Sequence, residues 1–219
     1  NLNRLAGRGA RFPNCYSAAP LCQPARNCII TGKFPTQHGV CGNMNAPVSE
    51  ADRADTYAHH LQAAGYHTAY IGKHHYLDRY NLGVDLVDDD ETITSYGYDH
   101  VWQVGDVLEG THNDDRYTRH LAERGRLAEY RANLTQELYE SFAPEETVDG
   151  YVCESALSYL RDLRKGTPWF LTVGIVGPHP PHWAPEPYAS MYSPEEMPRP
   201  RGVTDPERIR FFLEKRARY

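Results

Sequence analysis

One segment limits the folds open to this chain more than any other: Trp169-Phe170-Leu171-Thr172-Val173-Gly174-Ile175-Val176, its most apolar run. The length and β-branched content predict a central strand buried on both faces. Just upstream, Thr147 to Arg164 places Val148, Val152, Ala156, Tyr159, Leu160 and Leu163 on one helical stripe, and Gly166 and Pro168 end the helix. The same order occurs earlier. A helix from Asp55 to Ala64 shows Tyr57, Leu61 and Ala64 on one face, Gly65 stops it, and His67 to Ile71 reads as a short strand ending at Gly72. Helix, glycine, strand, met twice, predicts βαβ-type units and hence an α/β fold.

The remaining chain reads in simpler terms. Asn1 to Ala6 is the end of a helix, Ala10 to Tyr16 a strand, and Lys33 to Glu50 a loop rich in Gly, Pro and Asn. Leu77 to Thr94 is a long loop carrying Asp88-Asp89-Asp90-Glu91, a solvated acidic run in preference to a cation cradle, because contiguous acids rarely converge on one ion. Tyr98 to Val104 reads as a strand and Arg116 to Tyr139 as one or two surface helices, with an Asn133-Leu134-Thr135 glycosylation triplet inside them. Gly177 to Arg201 is a Pro-rich loop, and a last helix is expected from Asp205 to Tyr219.

Composition excludes several classes. With 40% hydrophobic and 24% charged residues the 219-residue chain suits a soluble globular protein. A net charge of −6 without a basic block argues against nucleic acid as a partner. No apolar run reaches transmembrane length, and Asn1 opens no signal peptide; the start reads as internal, which leaves the compartment open. The five cysteines form no disulfide framework and no zinc-type pair, and Cys28 and Cys153 are expected to be buried small hydrophobes.

The chemistry centres on Cys22-Gln23-Pro24-Ala25-Arg26, followed by Thr31-Gly32-Lys33. Pro24 suits a first helical turn, Arg26 lies four residues from Cys22 on the same face, and Gly32 is a plausible C-cap. A nucleophile candidate thus sits beside a helix N-terminus and a fixed positive charge, a place suited to an anion. A plain Cys22 thiolate is one physically reasonable nucleophile. The C-x₅-R spacing of cysteine phosphatases is absent after every Cys.

This stretch resembles the sulfatase signature C-x-P-[S/A]-R followed by T-G. The likeness extends through Arg11 to Pro20 and Gly32 to Val40, and then over residues 1–219, read as one partial catalytic domain. Gly72-Lys73-His74-His75 is similar to the family's G-K-W-H, with His74 in place of Trp. Gly177-Pro178-His179-Pro180-Pro181-His182 is similar to its P-H-x-P segment. The resemblance implies an alkaline-phosphatase-like α/β architecture, with a mixed sheet flanked by helices, and hydrolysis of a sulfate ester. It implies that a formylglycine-generating enzyme oxidises Cys22 to formylglycine, whose hydrated form attacks sulfur. Arg26 would hold that nucleophile and Lys73 a sulfate oxygen. His75 would accept a proton. His179 would bind sulfate and protonate the leaving oxygen, with His182 as a further substrate contact.

The family also uses Ca²⁺ or Mg²⁺. Of its metal shell only position 22 has a counterpart here, so the sequence is expected to be a fragment of the catalytic domain with little turnover alone. The substrate expected is a sulfated small molecule or glycan. A phosphonate monoester or phosphodiester hydrolase of the same superfamily and a non-catalytic binding domain are the alternatives. Arg199 and Arg201 are read as solvated charges in preference to contacts for an acidic substrate.

Overall fold

A computed structural model describes residues 2–43, 46–80, 82–198 and 210. Residues 1–186 and 187–219 are two compact units. In the second, the described part is turns and a short 3-10 segment, Pro194–Glu196. Arg199, Arg201 and, apart from position 210, the expected helix from Asp205 lie outside the described residues.

In the first unit the chain begins with α1 (Leu2–Ala6), α2 (Cys22–Thr31), α3 (Pro35–His38), α4 (Glu50–Ala54) and α5 (Tyr57–Ala63), then enters β1 (His67–Gly72). After α6 (Asp90–Thr94) comes β2 (His100–Gln103), then α7 (Arg116–Glu123), α8 (Leu127–Asn133), α9 (Gln136–Glu140), α10 (Val148–Asp162) and β3 (Trp169–Gly174). The described strands form one parallel sheet in the order β2-β1-β3. Parallel pairing requires a long crossover, and α10 packs on both β1 and β3 as such a crossover should.

The central strand is β1, not the apolar run. Thr68 to Gly72 are all buried, and successive residues divide two cores. Tyr70 joins Ile30, Ile93, Tyr96, Tyr98 and Val101 on one side. Ile71 joins Tyr117, Leu121, Tyr130, Val148 and Val152 on the other. The expectation for the apolar run therefore needs correcting: β3 has a neighbour on one edge only among the described residues. Trp169, Val173 and Ile175 are 49%, 39% and 40% exposed. Apolar content reports what a strand can bury, whereas its place in the sheet decides what it does bury.

Other expectations shift as well. Residues 10–16 form no strand. The helix expected from Asp55 to Ala64 is α5, Tyr57–Ala63, with Thr56 capping it by accepting from the His59 N–H, and α4 precedes it as a separate short helix. Cys153 is exposed and Cys28 only half-buried, its Sγ 3.4 Å from His38 Nε2. The acidic run forms a 3-10 turn and α6, with Asp89 held by Arg79 at 2.8 Å and Asp90 by Arg116.

Register sets up everything that follows. Gly72 of β1 stands opposite both Gln103 of β2 and Gly174 of β3, so all three strands end at one level. The segments Lys73–His75, Val104–Asp106 and Ile175–His179 leave from that carboxyl edge, where open α/β sheets place their ligands. The close approach needs glycine twice. At Gly72 (φ 111°) a Cβ would lie 2.2 Å from the Gly174 carbonyl oxygen, and at Gly174 a Cβ would lie 2.4 Å from that of Lys73.

Candidate active site

Cys22 is the first residue of α2, half-buried, with Pro24 in the first turn and Gly32 closing the helix in the left-handed conformation (φ 69°). The helix is fixed to the carboxyl edge by two buried amides. Gln23 Nε2 donates to the Tyr76 carbonyl at 2.9 Å and to that of Ala46 at 3.0 Å, and Asn27 Nδ2 donates to the Tyr76 carbonyl at 3.2 Å. One turn beyond Cys22, Arg26 Nη1 donates to the carbonyl of Lys73 at 2.9 Å and of His74 at 3.3 Å. The first motif is thereby clamped to the backbone of the second.

Lys73 is buried and pairs with Asp106 Oδ2 at 2.8 Å. Burial alone would push the Asp106 carboxyl up, but the charge and hydrogen bond of Lys73 outweigh it and hold the acid below its ordinary range. His179 reaches the same carboxylate from the loop after β3, with Nδ1 3.8 Å from Oδ2. Its Nδ1 lies 2.8 Å from the Pro180 carbonyl, which can only accept, so the proton sits on Nδ1 and Nε2 is the nitrogen left to exchange one. The loop is steadied from α10, where Asp149 accepts from the N–H groups of Val176 at 2.8 Å and Gly177 at 3.1 Å.

His75 stands apart in chemistry. Its backbone is left-handed (φ 50°), uncommon for a residue with a Cβ. Both ring nitrogens are buried without a hydrogen-bond partner; Asp78 Oδ1, 3.6 Å from Nε2, is too far. Burial, then the charge of Lys73, lowers its pKa to about 4, so the ring is a neutral imidazole at neutral pH. A buried polar group left unsatisfied calls for an explanation, and a ligand is one. Beside it a cavity of about 20 Å³, lined by Lys73, His74, His75, Gln103 and Glu109, has room for roughly one water.

His74 belongs to the packing. It is buried against Tyr70 and Tyr76, accepts from the Tyr76 N–H at 3.2 Å through Nδ1, and donates from Nε2 to Gln103 Oε1. Burial lowers its pKa to about 4. His182 is exposed and donates its Nδ1–H to the Pro178 carbonyl at 2.9 Å. Of the six residues expected from sequence, Arg26 bonds to the backbone of Lys73, and His75 follows in the same segment. His179 lies by the carboxylate that pairs with Lys73, Cys22 is one turn from Arg26 on α2, and His182 is exposed on the loop after β3.

Sequence reading missed Asp106 and its neighbour Glu109. The signal present was a Gly-Asp pair directly after a strand end. Glu109 Oε2 accepts from the Asp106 N–H at 3.0 Å, and burial, then the charge of Asp106, raises its pKa to about 7. Among the described residues no three His, Cys, Asp or Glu side chains group to hold a metal ion. Those present do not by themselves fit a Ca²⁺ or Mg²⁺ shell.

A family model described as Sulfatase matches residues 1–209. The chain belongs to the sulfatase family. It is 31% identical to a choline-sulfatase of Rhizobium meliloti, over 97% of this chain and 41% of that protein. It is 28% identical to an N-acetylglucosamine-6-O-sulfatase of Bacteroides thetaiotaomicron, over 94% and 30%. The chain thus spans well under half the length of these relatives. Among solved structures, a phosphonate monoester hydrolase of Agrobacterium radiobacter superposes with a TM-score of 0.60 at 21% identity, covering 84% of this chain and 36% of that one. That likeness speaks for the fold, which is alkaline-phosphatase-like α/β. No helix among the described residues is long and apolar enough to cross a membrane.

Proposed function

We propose that this sulfatase-family chain carries the anion-binding half of a sulfuric ester hydrolase whose nucleophile derives from Cys22. What supports the reading most is one contact: Arg26, a turn from Cys22, is bonded to the backbone of Lys73 at 2.9 Å, so the first two motifs lie side by side. Formylglycine at position 22, when formed, supplies a hydrated aldehyde as the nucleophile. Arg26 and Lys73 neutralise the oxygens of the sulfuryl group, which matters because transfer of such a group depends chiefly on positioning and charge. His179 donates a proton from Nε2 to the leaving alcohol, and the neutral ring of His75 takes up the proton released at position 22. His182, on the rim, meets the alcohol portion of the substrate.

The relatives' names span choline and N-acetylglucosamine sulfatases, and we extend that range to this chain as a sulfated small molecule or glycan. A second reading has its own support. A multifunctional alkaline phosphatase superfamily protein of Trinickia caryophylli is 30% identical over 94% of this chain and 41% of its own length, which leaves room for another ester class, and we take phosphodiesters and phosphonate monoesters as the competing substrates. The test is to produce the protein with a formylglycine-generating enzyme and read the mass of the peptide containing Cys22. Sulfate, phosphodiester and phosphonate esters are then compared. Conversion at position 22 with preference for sulfate is expected. An unmodified thiol would turn the reading toward a binding domain.

A further inference from the structure

Asp106 is held unusually firmly for a side chain that catalysis, as read above, does not use. It follows the end of β2, and its Oδ1 accepts two backbone N–H groups, from Leu108 at 3.0 Å and Glu109 at 2.8 Å. Those bonds fix the carboxylate plane and leave Oδ2 to face Lys73 at 2.8 Å and His179 Nδ1 at 3.8 Å. Its backbone N–H is tied in turn to Glu109, and the preceding Gly105 N–H to buried Asp115 at 2.6 Å. A carboxylate satisfied on one oxygen by backbone and aimed with the other at Lys73, with the His179 ring 3.8 Å away, is preorganised, not incidental.

We propose that Asp106 is the positioning residue of this site. Its Oδ2 is paired with Lys73 at the end of β1 and, 3.8 Å from Nδ1 of His179 on the loop after β3, bears on that ring through its charge, not a hydrogen bond, steadying it while Nε2 carries the proton. The proposal rests on the ester-hydrolase reading above. As the bond from sulfur to the leaving oxygen breaks, its electron pair stays on that oxygen, which takes the proton from Nε2. The sulfuryl group passes to the nucleophile, and His179 returns to the neutral ring. Asp106 stays ionised throughout and touches no reacting atom. Its negative charge also opposes an over-tight grip on the sulfate formed.

The test uses the protein as its gene encodes it, converted at position 22, with Asp106→Asn. The amide keeps an oxygen for the Leu108 and Glu109 N–H groups and removes the charge. Turnover of an alkyl sulfate, whose leaving group needs a proton, is expected to fall by about 100-fold, the scale of a general acid. Turnover of 4-nitrophenyl sulfate is expected to fall by less than about 5-fold, because that phenolate leaves unaided. Inhibition by inorganic sulfate is expected to be no weaker. In a His179→Ala background the same change should cost less than about 3-fold on the alkyl ester, since the two act together.

Equal losses on both esters, weaker sulfate inhibition, or an undiminished effect without His179 would overturn the proposal. If Asp106→Asn does not fold, Asp106→Ser keeps a backbone acceptor without the charge and is scored the same way. A wild type that cleaves phosphodiesters but no sulfate ester overturns the preceding reading alone, and Asp106 is then judged on alkyl against nitrophenyl diesters. A converted wild type silent on all ester classes overturns both.

Discussion

The two flanks of β1 are built from similar residues and end up in opposite conditions. On the side of β2, His74, Gln103, Tyr70, Tyr96 and Tyr98 are sealed from solvent, and their polar atoms are matched. On the side of β3, Trp169, Val173 and Ile175 stay partly in water. A groove of about 940 Å³ runs along α10 on the Ile71 face of the sheet, beside His100 and Trp102 of β2 and not along β3. This large groove lies away from the motifs, whereas the small cavity is lined by Lys73, His74 and His75. Volume is therefore the wrong guide here: Lys73 and Asp106 are buried where water is largely excluded and charges interact strongly.

The sharpest way to break this contrast is at the glycine pair that lets the strand ends meet. Gly72→Ala forces a Cβ to 2.2 Å from the Gly174 carbonyl at a φ of 111°. It is expected to destabilise by more than about 4 kcal/mol in urea unfolding, beyond the ordinary range for point changes. Next comes Lys73→Met, which leaves Asp106 buried without its cation; a loss of about 3 kcal/mol is expected in the same assay.

The third expectation concerns pH and uses two groups with opposite signs. His74 is held neutral, its folded pKa near 4 against an ordinary 6.5. Its contribution is complete above pH 6.5 and is lost as pH falls through 4, by about 2–3 kcal/mol in all. Glu109 is raised from 4.5 to about 7, so its contribution is complete below pH 4.5 and lost as pH rises through 7. Glu109→Gln should therefore stabilise the protein above pH 7 and expose a steeper acid loss, whereas His74→Asn should flatten that loss. Denaturant midpoints from pH 4 to 8 measure both. Smallest of all, Val173→Ser on the open flank and Leu157→Ser in the wall of the groove should stay within about 0.5 kcal/mol of the parent, since exposed positions rarely matter more.

The contrast also explains what sequence could and could not reveal. His67 to Ile71 as a strand and the helix from Thr147 were legible because local patterns specify them. The arrangement of Arg26, Lys73 and His179 was expected only through resemblance to the sulfatase motifs. Spacing along a chain does not say which strand ends lie side by side. For the same reason β3 was assigned the central place that β1 holds, and Asp106, one carboxylate among many, carried no pattern of its own. The stretch from Ala10 to Tyr16 has strand-like composition, but Phe12 and Tyr16 are exposed and no neighbour pairs with it among the described residues. Propensity without a partner makes no strand.

Arg26 is tethered by carbonyl oxygens, and this has a consequence for how the pocket responds to its surroundings. Peptide carbonyls neither gain nor lose protons, and they cancel none of the guanidinium's formal charge. The cation is moored by dipoles that no buffer can titrate, and it keeps its full pull for whatever oxyanion arrives. Acid and base can retune the rings and carboxyls around it, but they have no hold on the carbonyl moorings that keep this guanidinium in place.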